Sequence, residues 1–198
     1  MKWNLIKYFI LGMVAVFYLD TFCIGQTEKL RPGSWAVKIN STSLSNLYRL
    51  NDSIYRSEQP RKKAFQDLSV MGIKSVLNLR NDFSDSVLLS STTMQGFRVS
   101  MRGGHFSDTE IVAALKILLN APKPLLVHCK HGADRTGVVI AMYRIIFEGW
   151  TKQQALDELQ NGGYHFHRRY KNIPAYINGV NLAYIKKQVL ADTVSTDL

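Results

Sequence analysis

The sequence predicts an α/β domain built on a central, mostly parallel sheet with helices on both faces. Three observations predict it. Short apolar runs of strand length recur between about 46 and 191. Segments with apolar residues at helical spacing stand between them, the alternation that builds parallel sheets. Two loops, 102–107 and 129–135, follow two of the predicted strands, and in such sheets ligands bind at the carboxyl ends of strands.

The elements follow in order. Leu47 to Leu50 and Ile54 to Ser57 read as short strands around the turn Asn51-Asp52. Lys63 to Met71 places Ala64, Phe65, Leu68 and Met71 at helical spacing, and Gly72 ends it. IKSVLNL, from Ile73 to Leu79, reads as a strand, and Ser84 to Met94 as a helix. FRVSM, from Phe97 to Met101, is the next strand, followed by the loop at Arg102, Gly103 and Gly104. Ser107 and Glu110 form a capping box that opens a helix reaching Asn120, with Pro122 and Pro124 beyond it. Leu125 to Val127 is an apolar run suited to a buried strand. A helix begins near Thr136 and runs to Glu148; Thr151 caps another to Gln160; Pro174 starts the last, reaching Ala191.

The chain has 198 residues, enough for one domain and a short appendage, and its 46% hydrophobic and 20% charged residues argue against disorder. Lys and Arg number 25 against 15 Asp and Glu, a net charge of +10 that suits anionic partners. Residues 1–25 read as a signal peptide or N-terminal membrane anchor. Lys2 and Lys7 precede the uncharged run Tyr8 to Leu19, which is short for a membrane span and fits a secretory signal core. Cleavage after Gly25 is the favoured outcome, and an uncleaved anchor is the alternative. Either places the domain outside the cytoplasm, in the periplasm or tethered to the membrane facing it. Residues 26–45 read as a polar linker or lead-in, 46–191 as the domain and 192–198 as a C-terminal tail. Only Cys23 and Cys129 are present, which excludes a disulfide scaffold and a four-cysteine zinc site.

Cys129 stands where chemistry is expected. It ends a strand, a curved loop follows, and a helix begins at once. Loop amides and the helix N-terminus together make an anion site. Gly132 permits the tight curve, Gly137 close packing of helix on sheet, and Arg135 can fork onto two oxygens of a tetrahedral oxyanion. The same field favours thiolate over thiol at Cys129, the competent nucleophile. The loop residues Lys130, His131, Gly132, Ala133 and Asp134 and the following Thr136 line the expected substrate site, with the Thr136 hydroxyl placed to donate to sulfur and His128 to orient the cysteine. Each has a plainer reading: Cys129 a buried structural thiol, Arg135 a surface side chain, Thr136 a cap, His128 a core histidine, Lys130 and His131 solvated loop residues.

HCKHGADRTG, from His128 to Gly137, resembles the signature of cysteine-dependent protein tyrosine and dual-specificity phosphatases. NLYR from Asn46, IYRSEQP from Ile54, AMYR from Ala141, EGW from Glu148 and ALDELQNGG from Ala155 resemble the small exported phosphatases of Gram-negative bacteria. The resemblance implies a dual-specificity-phosphatase-like fold and a two-step hydrolysis without metal or other cofactor. Cys129 attacks phosphorus, Arg135 and the loop amides hold the oxygens, and an acid protonates the leaving oxygen. By this resemblance Asp108 is the acid, matched only approximately, and a first-turn helix residue is its plainer reading. His105 and Asp134 are alternatives, and Asp82 and Asp85, after another strand, remain in the set.

The expected substrate is a phosphorylated protein or another phosphate ester. The reading is a protein tyrosine or dual-specificity phosphatase, with a phosphoinositide or inositol phosphate phosphatase as alternative, motivated by Lys130, Asp134 and the basic tract YHFHRRYK from Tyr164 to Lys171. A phosphate-binding module without turnover, and sulfur transfer of the rhodanese type, complete the alternatives; the ending Arg135-Thr136-Gly137 argues against the last. No nucleic-acid partner is expected, since no binding motif accompanies the basic tract.

Overall fold

A computed structural model describes residues 31–191. The signal or anchor expected over 1–25 and the tail 192–198 lie outside the described residues.

Six strands form one sheet in the order β1-β2-β3-β6-β4-β5. They are β1 (Val37–Lys38), β2 (Tyr48–Arg49), β3 (Ile54–Ser57), β4 (Ser75–Arg80), β5 (Gln95–Met101) and β6 (Leu125–His128). β3, β6, β4 and β5 pair in parallel, while β1 and β2 add an antiparallel edge. The mostly parallel α/β architecture expected from the alternation is therefore present.

The helices are α1 (Lys62–Val70), α2 (Ser86–Leu89), α3 (Asp108–Asn120), α4 (Asp134–Phe147), α5 (Lys152–Asn161), α6 (Asn172–Gly179) and α7 (Leu182–Leu190). Side chains on a strand alternate between faces, and the two core clusters follow that alternation. Leu77, Leu79, Leu125 and Val127 join the large cluster with α3, α4 and α5. Val76 and Leu126 face the other way, onto Ala64, Phe65 and Leu68 of α1. β6 is buried along its whole length at the middle of the sheet, so its carboxyl end, His128 and Cys129, emerges between β3 and β4.

Four local expectations are revised. The helix over 84–94 is a single turn, Ser86–Leu89, because the Ser90 and Thr92 hydroxyls bond back to the Val87 and Leu89 carbonyls and compete with helix continuation. The last helix is two, since Val180 is extended and the Asn181 side chain accepts from the Tyr184 amide to start α7. The lead-in is no loose linker where it is described: β1 pairs with β2, Ala36 is buried, and its amide donates to Glu158 Oε1 at 2.7 Å. The close approach at Gly137 is to α5 rather than to the sheet, as a Cβ there would meet Leu159 Cδ1 at 2.2 Å.

No described helix is long and apolar enough to cross a membrane.

Candidate active site

The segment after β6 turns sharply at Gly132, whose φ of 69° lies in the left-handed region; a Cβ there would meet the Ser57 carbonyl at 2.5 Å. Ala133 then caps α4, which begins at Asp134, two residues earlier than expected, so that Arg135 lies in its first turn.

Three consecutive loop carbonyls are taken from outside the curve. The Gln59 amide donates to Lys130 O at 3.3 Å, Asn46 Nδ2 to His131 O at 2.8 Å, and Arg56 Nη2 to Gly132 O at 2.7 Å. In a planar trans peptide the carbonyl and the next N–H point in opposite directions. Turning these carbonyls outward therefore turns the amides of His131, Gly132 and Ala133 inward. The result is a cup of N–H groups at a helix N-terminus, an arrangement suited to an oxyanion.

Cys129 sits at the base of this curve, 1% exposed and free of any disulfide. Arg135 Nη1 donates to Met101 O at 3.2 Å, at the end of β5, and more weakly to Asn81 Oδ1 at 3.5 Å, beyond β4. Thr136 is buried and its Oγ1 has no hydrogen-bond partner among the described residues, so the expected bond to sulfur is not made here. The His128 Nε2 pairs with Asp85 Oδ2 at 2.7 Å, Asp85 Oδ1 accepts from Gln59 Nε2 at 2.8 Å, and His128 Nδ1 lies 3.5 Å from the Cys129 carbonyl oxygen. His128 thus fixes the strand end below the cysteine, while its imidazole serves a buried carboxylate.

The acid candidates are scattered. Asp85 is buried in that pairing. Asp82 is gripped by two bonds from Arg80, at 3.0 and 2.7 Å, which hold its carboxyl down at about 2. Asp134 is buried, and both oxygens are engaged by His167, from the backbone amide at 3.0 Å and from Nδ1 at 2.8 Å. Asp108 opens α3, and its Oδ1 accepts from Tyr176 Oη of α6 at 2.8 Å. Burial first, and then this carboxylate, push the Tyr176 phenol well above its ordinary value. His105 is exposed, in a tight turn closed by its own amide on Arg102 O.

Lys130 and His131 form an exposed rim. Burial, then His167, then Lys130 lower the His131 imidazole below its usual value. Lys130 also borders a cleft of about 810 Å³ that it shares with Arg61, Lys62, Arg80 and Phe83.

Sequence reasoning assigned no role to Asn46 or Arg56, and took His167 only as part of the basic tract 164–171, not as the partner of Asp134. Arg56 is fully buried beneath the loop, its guanidinium 3.5 Å from the centre of the Tyr164 ring, and burial lowers its basicity. A signal existed: an arginine inside a four-residue strand, IYRS, is a charge that burial obliges to find partners.

Comparison with known proteins agrees with this geometry. Residues 42–194 match the family model of the tyrosine phosphatase family. The dual specificity protein phosphatase TpbA of Pseudomonas aeruginosa is 32% identical over 180 residues, covering 87% of this chain and 81% of that protein. A crystal structure of P. aeruginosa TpbA with cysteine changed to serine, in complex with phosphotyrosine, superposes with a TM-score of 0.72 at 30% identity, over 80% of this chain and 98% of that one. An inositol diphosphatase of Arabidopsis thaliana, DSP3, is 28% identical over 138 residues, 65% of this chain and 68% of that protein.

Proposed function

The chain belongs to the tyrosine phosphatase family, and we propose that this cysteine-based protein-tyrosine and dual-specificity phosphatase acts through Cys129 as nucleophile. The observation that carries the assignment of residues is the cup: a cysteine at the end of β6, three loop carbonyls tied back, and Arg135 at the rim. The Cys129 sulfur attacks phosphorus; an S–P bond forms as the ester P–O bond breaks. The equatorial oxygens gather charge in that transition state, and the inward amides and the Arg135 guanidinium meet it there. Water then attacks the phosphocysteine, releasing phosphate and restoring the thiolate.

The leaving oxygen needs a proton, and Asp108 is the proposed donor, with His105 the alternative on the same segment. In the described state Asp108 is bonded to Tyr176, so it must exchange that phenol for the leaving oxygen. A phenol ester depends least on this exchange, because phenoxide departs with less protonation than alkoxide. That supports phosphotyrosine as the main substrate. The cleft bordered by Arg61, Lys62 and Lys130, which outnumber Glu58 in its lining, suits acidic residues flanking the phosphotyrosine. Turnover of a phosphotyrosine peptide against a phosphoserine peptide tests this: a clear excess for phosphotyrosine is expected, and equal rates would overturn it.

A second reading, hydrolysis of inositol phosphates, rests on Lys130 at the rim, on the basic tract 164–171 and on the similarity to inositol diphosphatases. Efficient release of phosphate from inositol diphosphates, with phosphotyrosine peptides turned over poorly, would select it. Export is proposed from the basic start and short apolar run within residues 1–25. Recovery of the chain in the cytoplasmic fraction of cells that make it would refute that.

A further inference from the structure

Beside the cup stands a cluster whose side chains make and break no bond in the proposed hydrolysis. His131 and Asp134 come from the loop and the start of α4, and His167 comes from the tract between α5 and α6. One nitrogen or oxygen from each of the three lies within 4.8 Å of the others. We infer that His131, Asp134 and His167 form a binding site for a divalent cation of borderline softness, with Zn²⁺ the best fit.

The geometry can close on one ion with small side-chain adjustments. Asp134 Oδ2 and His167 Nδ1 are 2.8 Å apart, a spacing that two ligands of one ion need widen only slightly. The His131 and His167 rings have centroids 5.1 Å apart and are tilted by 59°. Two imidazoles on one tetrahedral ion, with bonds of about 2.0 Å, place their ring centres about 5 Å apart. The carboxylate is already oriented, since Asp134 is buried and its Oδ1 accepts from the His167 amide at 3.0 Å. Such a bond to the other oxygen of a ligating carboxylate is what fixes ligands in metal sites. Both imidazoles retain access to solvent, so an entry path exists.

The donor set also chooses the ion. Two imidazoles and one carboxylate favour Zn²⁺ over Mg²⁺ or Ca²⁺, which demand more oxygen ligands. Lys130 and Arg135 are charged neighbours that oppose any dication held by charge alone. Three protein ligands leave a fourth position open. An ion there would clamp the loop rim to the tract 164–171 and so bear on the cup from its edge, without entering the bond-breaking step.

The test uses the full chain carrying Cys129→Ser, which removes the thiolate as a competing ligand and makes the outcome independent of turnover. Titration calorimetry with ZnCl₂ is expected to show a saturable site. His131→Asn and His167→Asn, each added to that parent, are expected to weaken it by at least about 10-fold. Cys23 is common to all three proteins, so a difference between them reports on the imidazoles. Circular dichroism in chelator checks that each variant is folded; both histidines lie at the surface. Co²⁺ in place of Zn²⁺ should give visible d–d bands of a tetrahedral nitrogen and oxygen site in the parent and not in the variants. A parent that binds no Zn²⁺, or histidine variants that bind it as tightly as the parent, would overturn the inference.

Discussion

Two buried polar regions flank α4, and they are finished to different degrees. At the α4–α5 contact, Arg144 donates to both oxygens of Glu158, at 2.8 and 2.9 Å, and to Glu148 at 2.7 Å. Glu158 Oε1 also accepts from the Ala36 amide and from Tyr164 Oη. Charge and hydrogen bonds close on themselves there. Around the loop they do not. Among the described residues, the buried side-chain atoms without a partner are Asn46 Oδ1, Arg56 Nε and Thr136 Oγ1, and each belongs to a residue of the loop's surroundings. Arg56 is a buried cation that donates to a neutral carbonyl, Gly132 O, at 2.7 Å. A buried polar group left unpaired costs about 1–3 kcal/mol, so such groups persist where a ligand completes them. One region is closed on itself, and the other leaves polar groups open in the way the proposed anion site requires.

That contrast can be broken by substitution. The largest effect is expected for Cys129→Ser, which should reduce turnover of p-nitrophenyl phosphate to background while vanadate still binds. Retained turnover would remove the nucleophile. Next is Glu158→Gln at the closed region. Truncating one charge of a buried pair typically costs about 3–5 kcal/mol, and a glutamine that keeps some bonds should fall at the low end. Its thermal midpoint should drop, with kcat per folded molecule kept.

The pH dependence follows from the same carboxyl. Burial alone would raise it, but Arg144, the Ala36 amide and Tyr164 hold it below the ordinary carboxylate value. Its contribution to stability is therefore complete above the unfolded-chain value and lost as pH falls through the lower folded one. Acid unfolding should be shallower in Glu158→Gln than in the parent, and identical acid limbs would contradict the assignment.

Arg56→Met should show the opposite pattern. Among the described residues Arg56 has no carboxylate partner within hydrogen-bond reach, so removing it strands no opposite charge, yet the Gly132 carbonyl loses its donor and the cup its support. A loss of about 100-fold in kcat is expected with little change in thermal midpoint. A fall in stability as large as that of Glu158→Gln would erase the distinction between the regions. The smallest effect, within about 0.5 kcal/mol, is expected for Val70→Lys, since Val70 is 90% exposed and touches neither region.

The parts of the site that could be read in advance are those in which cause and effect are near in the chain. Cys129, Gly132 and Arg135 lie on one short segment, and a strand followed at once by a helix is enough to bring thiol, amides and guanidinium together. The strands β4 and β6 could be read for a similar reason, because an apolar run buried on both sides leaves a continuous pattern. His128 was legible as a residue and not as a partner: its carboxylate, Asp85, lies beyond the end of β4, the neighbouring strand. Arg56, Asn46 and Glu158 stood inside the very segments that carry the family resemblance; the strand IYRS signalled that Arg56 needs partners, but nothing local named them or gave Asn46 and Glu158 a task.

By itself, then, the sequence determined the α/β class, the family to which the chain belongs, and the loop at whose base the proposed nucleophile stands. Tertiary structure alone decided who holds the loop, which carboxylates are engaged elsewhere, and that His167 meets Asp134. The physical reason is that backbone conformation follows from neighbours along the chain, whereas the partner of a buried donor or charge is set by strand order. Placing β6 between β3 and β4 is what delivers Arg56 and Gln59 to one side of the cup and Asp85 to the other.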